Sequence, residues 1–533
     1  MKVHHIPFKK TGYFSKLIND YLDQNSELDQ FYGNFPNIEG FSKQIELKYQ
    51  SKTETPFNRV HLVNSLKKQY SLVEFSENTA SNIELLKEEN TFTITTGHQL
   101  NIFTGPLYFL YKIVTTINLT KQLKKEYPSY NFVPVYWMAT EDHDFDEINY
   151  FNFKDQKIAW EKDASGAVGR LNTEGFQKVF NEFSKHLGTS INEEFIKELF
   201  QKAYLKHTNL TAATRYLVNE LFGKYGLVIL DGDDKLLKKQ FSPLFKDELL
   251  QKTSYKKVAQ SSKKLESIGY NIQVNPREIN LFYLKDDMRE RIIYQKDTFY
   301  VNNSTITFSK EAILKELEKH PERFSPNVIM RPLYQETILP NICYIGGGGE
   351  LAYWLQLKAY FEQMNTPFPI LLLRNSVLFL TEKQYKKLKK LEVSLEEIFC
   401  KQGKLVDKKV KEISEIEIDF STQKAFLQEQ FDSLKLIAKK TDQSFIGAVN
   451  AQEKKQLNGL DALEKRLLKA QKRKLEDEVT RIKVLQNNLF PNQSLEERSR
   501  NFSEMYLKLG KNLIPTLLKS LNPLQLEFTV IEY

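Results

Sequence analysis

The chain has 533 residues, 41% of them hydrophobic and 27% charged, a composition that suits two to four globular domains. With 37 Phe and 26 Tyr to bury it excludes wholesale disorder, and with 21 Gly and 17 Pro it excludes collagen-like and low-complexity classes. The formal net charge of +8 is modest over this length; it favours anionic small molecules or a weak nucleic-acid contact but demands neither.

Residues 1–88 read as mostly helical, with Tyr70, Leu72, Phe75, Leu85 and Leu86 among the apolar positions. The start, MKVHHIPFKK, carries no apolar signal-peptide core, and no run of about 20 apolar residues follows anywhere. Two cysteines, Cys343 and Cys400, exclude a disulfide scaffold and a multi-cysteine zinc site, and they suit a reducing cytoplasm. Buried strands are then expected at TFTITTGHQ (91–99), NFVPVYWMAT (131–140), YGLVILDGDD (225–234) and FPILLLR (368–374). Helical stretches separate them, and their apolar runs are continuous rather than alternating, as in a parallel sheet covered on both faces. NLFYL, RERIIY and TFYVNNSTITF, between 280 and 308, suggest a small antiparallel unit inserted into that sheet domain.

From about 380 the texture turns rich in Lys and Glu. Leu468, Leu475, Ile482 and Leu489 recur every seven residues, with Val479 and Leu485 between them, which makes a coiled-coil seam. A preceding stretch, 425–440, supplies the other arm of an antiparallel helical hairpin; the seam closes either that hairpin or a homodimer, and a homodimer is preferred. The tail LQLEFTVIEY alternates like a strand returning to the main body. The expected segmentation is 1–88, a helical part of the core; 89–234, its first half; 235–325, an inserted connecting segment; 326–379, its second half; 380–505, the coiled coil; and 506–533, the tail.

In open parallel sheets ligands bind at the carboxyl ends of strands, and four segments stand out there. Gly97, His98 and Gln99 follow the first strand, and Gly105 and Pro106 open a helix whose N–H groups, with His98, could cradle an anion. A tight turn with a structural histidine is the plain alternative. The second strand ends in Glu141, Asp142, His143, Asp144, Asp146 and Glu147, enough acid to hold an amine or a divalent metal or to act as a general base; helix capping needs only one of them. Arg277 could grip a carboxylate, or simply pair with Glu278. Gly346, Gly347, Gly348 and Gly349 run into Glu350 beside Arg331, Gln335 and Glu336, and such glycines let a backbone approach a ligand; a flexible loop is the alternative. The eight histidines are scattered, and neither HExxH nor GxSxG occurs, which argues against a zinc protease and an α/β-hydrolase. Cys343, on an apolar stretch, reads as a buried structural cysteine.

TGHQLNIFTGPLY, VPVYWMATEDHDFDEIN, NPREINLFYL and RPLYQETILPNICYIGGGGELAYWLQLK, in this order, resemble the bacillithiol biosynthesis cysteine-adding enzyme (cysteine ligase) family. The resemblance implies an α/β fold: a Rossmann-like core of the nucleotidyltransferase kind, a parallel sheet with inserted connecting segments, and a C-terminal α-helical coiled coil used for dimerisation. It further implies a ligase that joins cysteine by an amide bond to glucosaminyl-malate, the last step of bacillithiol synthesis. The family is similar in fold to class I aminoacyl-tRNA synthetases, but of their HIGH box only Gly97-His98 remains here, and no KMSKS-type loop is present. The energy source is not legible: ATP or another adenine nucleotide is the candidate cosubstrate, Mg²⁺ a candidate companion, and zinc is not supported. In this reading Asp142, His143, Asp144 and His98 are catalytic. Gly97, Gln99, Gly105, Pro106, Glu141, Arg277, Arg331, Gln335, Gly346–Gly349 and Glu350 bind substrate or nucleotide. Two other functions compete: another nucleotidyl- or aminoacyl-transfer enzyme acting on a different amine, and a non-catalytic coiled-coil scaffold.

Overall fold

The structure, a computed structural model, describes residues 1–51, 58–71, 73–441 and 443–533; Leu72 lies outside the described residues. At its centre is a five-stranded parallel sheet in the spatial order Ile370–Leu373, Asn341–Gly346, Thr91–His98, Asn131–Met138, Val228–Asp231. The four runs expected as strands are all there. The fifth, Asn341–Gly346, looks in the sequence like no more than an apolar lead into the glycines. It occupies an interior position and is buried throughout, but six residues between a helix and a glycine run carry little periodicity.

The middle strand explains its own composition. Thr91–His98 is buried at every position but the last, and β-branched residues suit such a surface. Its threonine hydroxyls need partners in the interior. Thr93 and Thr95 donate to Asn341 Oδ1 at 3.2 and 2.8 Å, and Thr96 donates to the Ile345 carbonyl at 2.8 Å. These bonds staple the two central strands together.

The insert is a second sheet, antiparallel throughout, in the order Thr307–Phe308, Thr298–Val301, Met288–Gln295, Leu281–Lys285, Phe324–Pro326. Its last strand, Phe324–Pro326, has only three residues, too few to show a pattern in the sequence. Before residue 88 the regular elements among the described residues are helices, except at the start, where Lys2–Pro7 pairs antiparallel with Glu527–Glu532, itself parallel to Val377–Leu380. In that segment Tyr70 and Leu86 are buried and Leu85 packs against the core, whereas Phe75 is exposed.

Beyond the core, the helices Ser421–Ala438 and Gln443–Lys474 form an antiparallel hairpin. Lys424 meets Asp461 and Glu464 while Lys435 meets Glu453, so residues advancing on one arm retreat on the other. The heptad seam is divided. The helix breaks at Leu475, where φ is −105° and ψ 34°, and resumes as Glu476–Leu489. Val479, Ile482, Leu485 and Leu489 are buried within the chain, where this helix packs against the helix Gln402–Ile413, while Leu468 and Leu475 are half-buried. Among the described residues no helix is long and apolar enough to cross a membrane.

Candidate active site

The chain runs from the Thr91–His98 strand outward to Asn131–Met138 and Val228–Asp231, then crosses to Asn341–Gly346 on the other side. That reversal opens a crevice at the carboxyl ends of the central strands. A cleft of about 930 Å³ lies there, walled by the core on one side and by the antiparallel insert on the other.

Its floor is a closed polar cluster. Lys112, from the helix Tyr108–Glu126, is 2% exposed. It donates to the Gly97 carbonyl and to both Glu350 oxygens, the latter at 2.7 and 2.9 Å. Glu350 also accepts from the Tyr344 hydroxyl at 2.7 Å and from the Gly347 N–H at 3.0 Å. Burial pulls the Lys112 ammonium down from its ordinary value. Burial works against the Glu350 charge too, but Lys112 outweighs it and holds the carboxyl below the usual range. Beside them the His98 ring packs against Tyr108 and Phe109, and its buried Nε2 has no hydrogen-bond partner among the described residues. Burial, helped by Lys112, lowers its pKa to about 3, so this imidazole is neutral at physiological pH.

The acidic rim is built by the turn after Asn131–Met138. Val168 and Gly169 donate their N–H groups to the Asp142 and Thr140 carbonyls at 2.7 and 2.8 Å, which fixes the turn's path. Glu141 faces the fully buried Lys238 at 2.5 Å, and Lys238 also holds Asp233 at 2.9 Å. Thr140 donates to Asp231, whose carboxyl burial, with Asp233 adding repulsion, raises to about 6. Asp142 Oδ2 accepts from Gln99 Nε2 at 2.9 Å, and Oδ1 accepts from the His143 N–H at 2.8 Å. Glu147, further along, accepts from the same Gln99 amide. Asp144 lines the cleft and accepts no side-chain hydrogen bond from the described residues. The turn therefore presents Asp142, His143 and Asp144 to the cleft, while Glu141 is committed to Lys238.

Opposite stand arginines. Arg331 donates to Gln335 Oε1 at 2.9 Å and to the Tyr353 hydroxyl at 3.4 Å, and its guanidinium lies over Trp137 and Tyr344. Arg277 and Arg291 reach the same space from the insert. Among the described residues none of these three has a carboxylate in ion-pair range; Glu278 pairs with Lys252, not with Arg277.

Residues 1–375 match the family model described as "Bacillithiol biosynthesis BshC, N-terminal Rossmann-like domain", and residues 377–533 match "Bacillithiol biosynthesis BshC, C-terminal coiled-coil domain". The chain belongs to the BshC family of bacillithiol biosynthesis. Three relatives, each named "Putative cysteine ligase BshC", align along nearly its whole length. That of Flavobacterium johnsoniae is 58% identical over 526 residues, covering 99% of both chains. That of Christiangramia forsetii is 56% identical over 537 residues, covering 100% of this chain and 99% of its own. That of Cytophaga hutchinsonii is 39% identical over 524 residues, covering 98% and 97%.

In this BshC chain the cleft gathers Gly97, His98, Gln99, Glu141, Asp142, His143, Asp144, Arg277, Arg331 and Glu350, and it leaves out the rest of the expected set. Gly346–Gly349 do not line it. Gly347 is capped by Glu350, and Gly348 abuts Ile18 and Phe14, so the run is a folded helix start rather than an open cradle. Gly105 and Pro106 are sealed off as well. The Gly105 N–H is bonded to the Ile102 carbonyl, its own carbonyl accepts from Asn501, and the Leu107 N–H is taken by Arg500. Gly105 has φ +61°, and a Cβ there would meet that of Asn101 at 2.6 Å, so its glycine serves the turn. Gln335 lies behind Arg331, oriented by Glu336.

Sequence reasoning missed Lys112, Arg289, Arg291, Tyr344 and Tyr353 as BshC cleft residues. Lys112 did leave a signal, a lone charge in the apolar run YFLYKIVTTINL. A charge on a buried helix face needs a partner. Arg289 and Arg291 sit in an ordinary alternating strand and left none.

Proposed function

We propose that this chain joins L-cysteine to glucosaminyl-malate through an amide bond, completing bacillithiol. What supports the reading is the polarity of the cleft: the open carboxylate of Asp144 beside that of Asp142 on one wall, and on the other arginines that among the described residues have no carboxylate in ion-pair range. The acidic wall suits the cysteine ammonium and the glucosamine amine. The arginines suit the two malyl carboxylates, since a guanidinium fork matches a carboxylate. The names of the full-length relatives supply the cysteine.

In the reaction the glucosamine nitrogen bonds to the cysteine carboxyl carbon, an oxygen leaves that carbon, and the nitrogen gives up a proton, taken by Asp142 or Asp144. The leaving oxygen must first be activated, and ATP or another adenine nucleotide with Mg²⁺ is the proposed source. Arg277, Arg291 and Arg331 fit phosphates as they fit carboxylates. Both cysteines are free, as suits a cytoplasmic enzyme. The working form is a homodimer through the coiled coil, whose arms expose Phe426, Leu434, Leu436, Ile437 and Leu463.

Mass spectrometry of purified protein with cysteine and glucosaminyl-malate, with and without ATP and Mg²⁺, tests the reading. Bacillithiol formed only with ATP supports it, and no product from a folded dimer under any condition overturns it.

A further inference from the structure

We propose that His143 presents a hydrogen-bond donor, Nε2–H, to the ligand rather than a basic lone pair, and that Arg289 of the insert is the positioning residue that imposes this tautomer. Arg289 Nη1 lies 2.7 Å from His143 Nδ1. A guanidinium has only N–H groups to offer and does not lose its proton in a protein. Nδ1 is therefore the acceptor and carries no hydrogen. The single proton of the neutral ring sits on Nε2, which has no hydrogen-bond partner among the described residues, on a ring that lines the cleft.

The arginine is a fixed post. Its Nε donates to Ser325 Oγ at 3.0 Å, its Nη2 donates to the Pro326 carbonyl at 3.2 Å, and its guanidinium lies 4.0 Å from the Phe282 ring centre. The His143 ring packs on the same phenylalanine at 5.2 Å. Three neighbouring strands of the insert, Leu281–Lys285, Met288–Gln295 and Phe324–Pro326, thus hold one imidazole of the core.

Among the described residues the one carboxylate in ion-pair range of this ring, Asp142, is engaged elsewhere. A carboxylate bonded to Nδ1 would place the proton there and free Nε2 as a base, as in Ser-His-Asp triads. Asp142 Oδ1 is 3.7 Å from Nδ1 and already accepts the His143 N–H, while Oδ2 accepts from Gln99. With Nδ1 bonded to arginine and Nε2 protonated, His143 has no free lone pair. Its role is to bind a ligand oxygen, and the proton released at the attacking amine goes to a carboxylate. This consequence rests on reading the cleft as the ligase site; the tautomer itself does not.

The full chain labelled with ¹⁵N-histidine gives the tautomer directly from two-bond ¹H–¹⁵N correlations at pH 7.5, the His143 signals being those missing from His143→Gln. A protonated Nε2 and a bare Nδ1 are expected. A protonated Nδ1, or a ring averaging between tautomers, would overturn the proposal, and the spectrum of the unmutated chain, once assigned, decides between these outcomes. Arg289→Lys, which keeps a donor, should retain the signature, and Arg289→Met should lose it. In the bacillithiol assay His143→Gln, whose amide N–H falls near Nε2, should stay within about 10-fold of the parent, and His143→Ala should lose about 100-fold. Equal losses in the two variants would remove the donor role. Absence of product from the parent enzyme would instead remove the ligase reading and leave the tautomer seen by ¹⁵N spectroscopy untouched.

Discussion

The Asn131–Met138 and Asn341–Gly346 strands flank the same central strand, and each ends in a turn that leads into a helix. In sequence the second turn, with its four glycines and a glutamate, looks nearly as fit for a ligand as the first. In the structure its glutamate is consumed: Glu350 caps the helix at Gly347 and takes bonds from Lys112 and Tyr344. The first turn spends Glu141 on Lys238 but leaves Asp144 and one imidazole nitrogen facing the cleft. Both turns sit where ligands bind in such sheets. What separates them is whether their polar groups are already satisfied.

The heaviest blow to this contrast falls on the open turn. The double variant Asp142→Ala, His143→Ala should lose at least about 1,000-fold of bacillithiol formation, the product of a lost carboxylate and a lost donor; full synthesis by a folded double variant would break the contrast. At the closed turn the effect belongs to stability. Lys112→Met strips a half-buried carboxylate of its cation and should cost about 1–3 kcal/mol in urea unfolding. Adding Glu350→Gln should restore most of that, and no restoration would mean that the pair is not what Lys112 serves.

A smaller effect reads the support beneath the open turn. Asp231 has a folded pKa of about 6, above its ordinary value of 3.8. The folded chain therefore holds this proton more tightly than the unfolded chain, and charging the carboxyl removes stability as pH rises through that interval. Asp231→Asn keeps the acceptor for Thr140 and cannot charge. Between pH 5 and 7.5 its stability relative to the parent should improve by about 1 kcal/mol. A pH-independent difference would show that burial is not what raises this group. Smallest of all, Gly348→Ala should stay within about 2-fold in activity, because its Cβ would meet Ile18 at an ordinary 3.4 Å; a large loss would reopen the glycines as a ligand cradle.

The parallel sheet, the insert and the helical C-terminal half were legible because their signals are local: continuous apolar runs, alternation and a Lys- and Glu-rich helical texture; the seven-residue repeat was local too, but most of it packs on the helix Gln402–Ile413 rather than in the hairpin. Asn341–Gly346 was not, because its identity as a strand depends on the neighbours that bury it. The acidic turn was legible as a cluster of charge at a strand end. Which of its members stay open was not, because that is settled by partners far along the chain: Lys238 for Glu141, Arg289 for His143. The same holds in reverse for the glycines and for Gly105, whose donors and acceptors are taken by Glu350 and by Asn501.

Asn501 is fully buried. Its amide nitrogen donates to the Phe103 and Gly105 carbonyls, and its oxygen accepts from the Ser503 N–H and hydroxyl. Nearby, Glu497 holds Arg374 at 2.7 Å and the Val377 N–H at 3.1 Å. A chimera that grafts the coiled-coil half of one relative onto the Rossmann-like half of another, cut at residue 376, would part Glu497 from Arg374 and Asn501 from Phe103 and Gly105. Glu497 and Asn501 lie in the stretch matched as coiled coil, yet their side chains hold Arg374, Phe103 and Gly105 of the first half. The heritable module is therefore larger than either domain, and a viable graft must carry this strap along with the half it fastens.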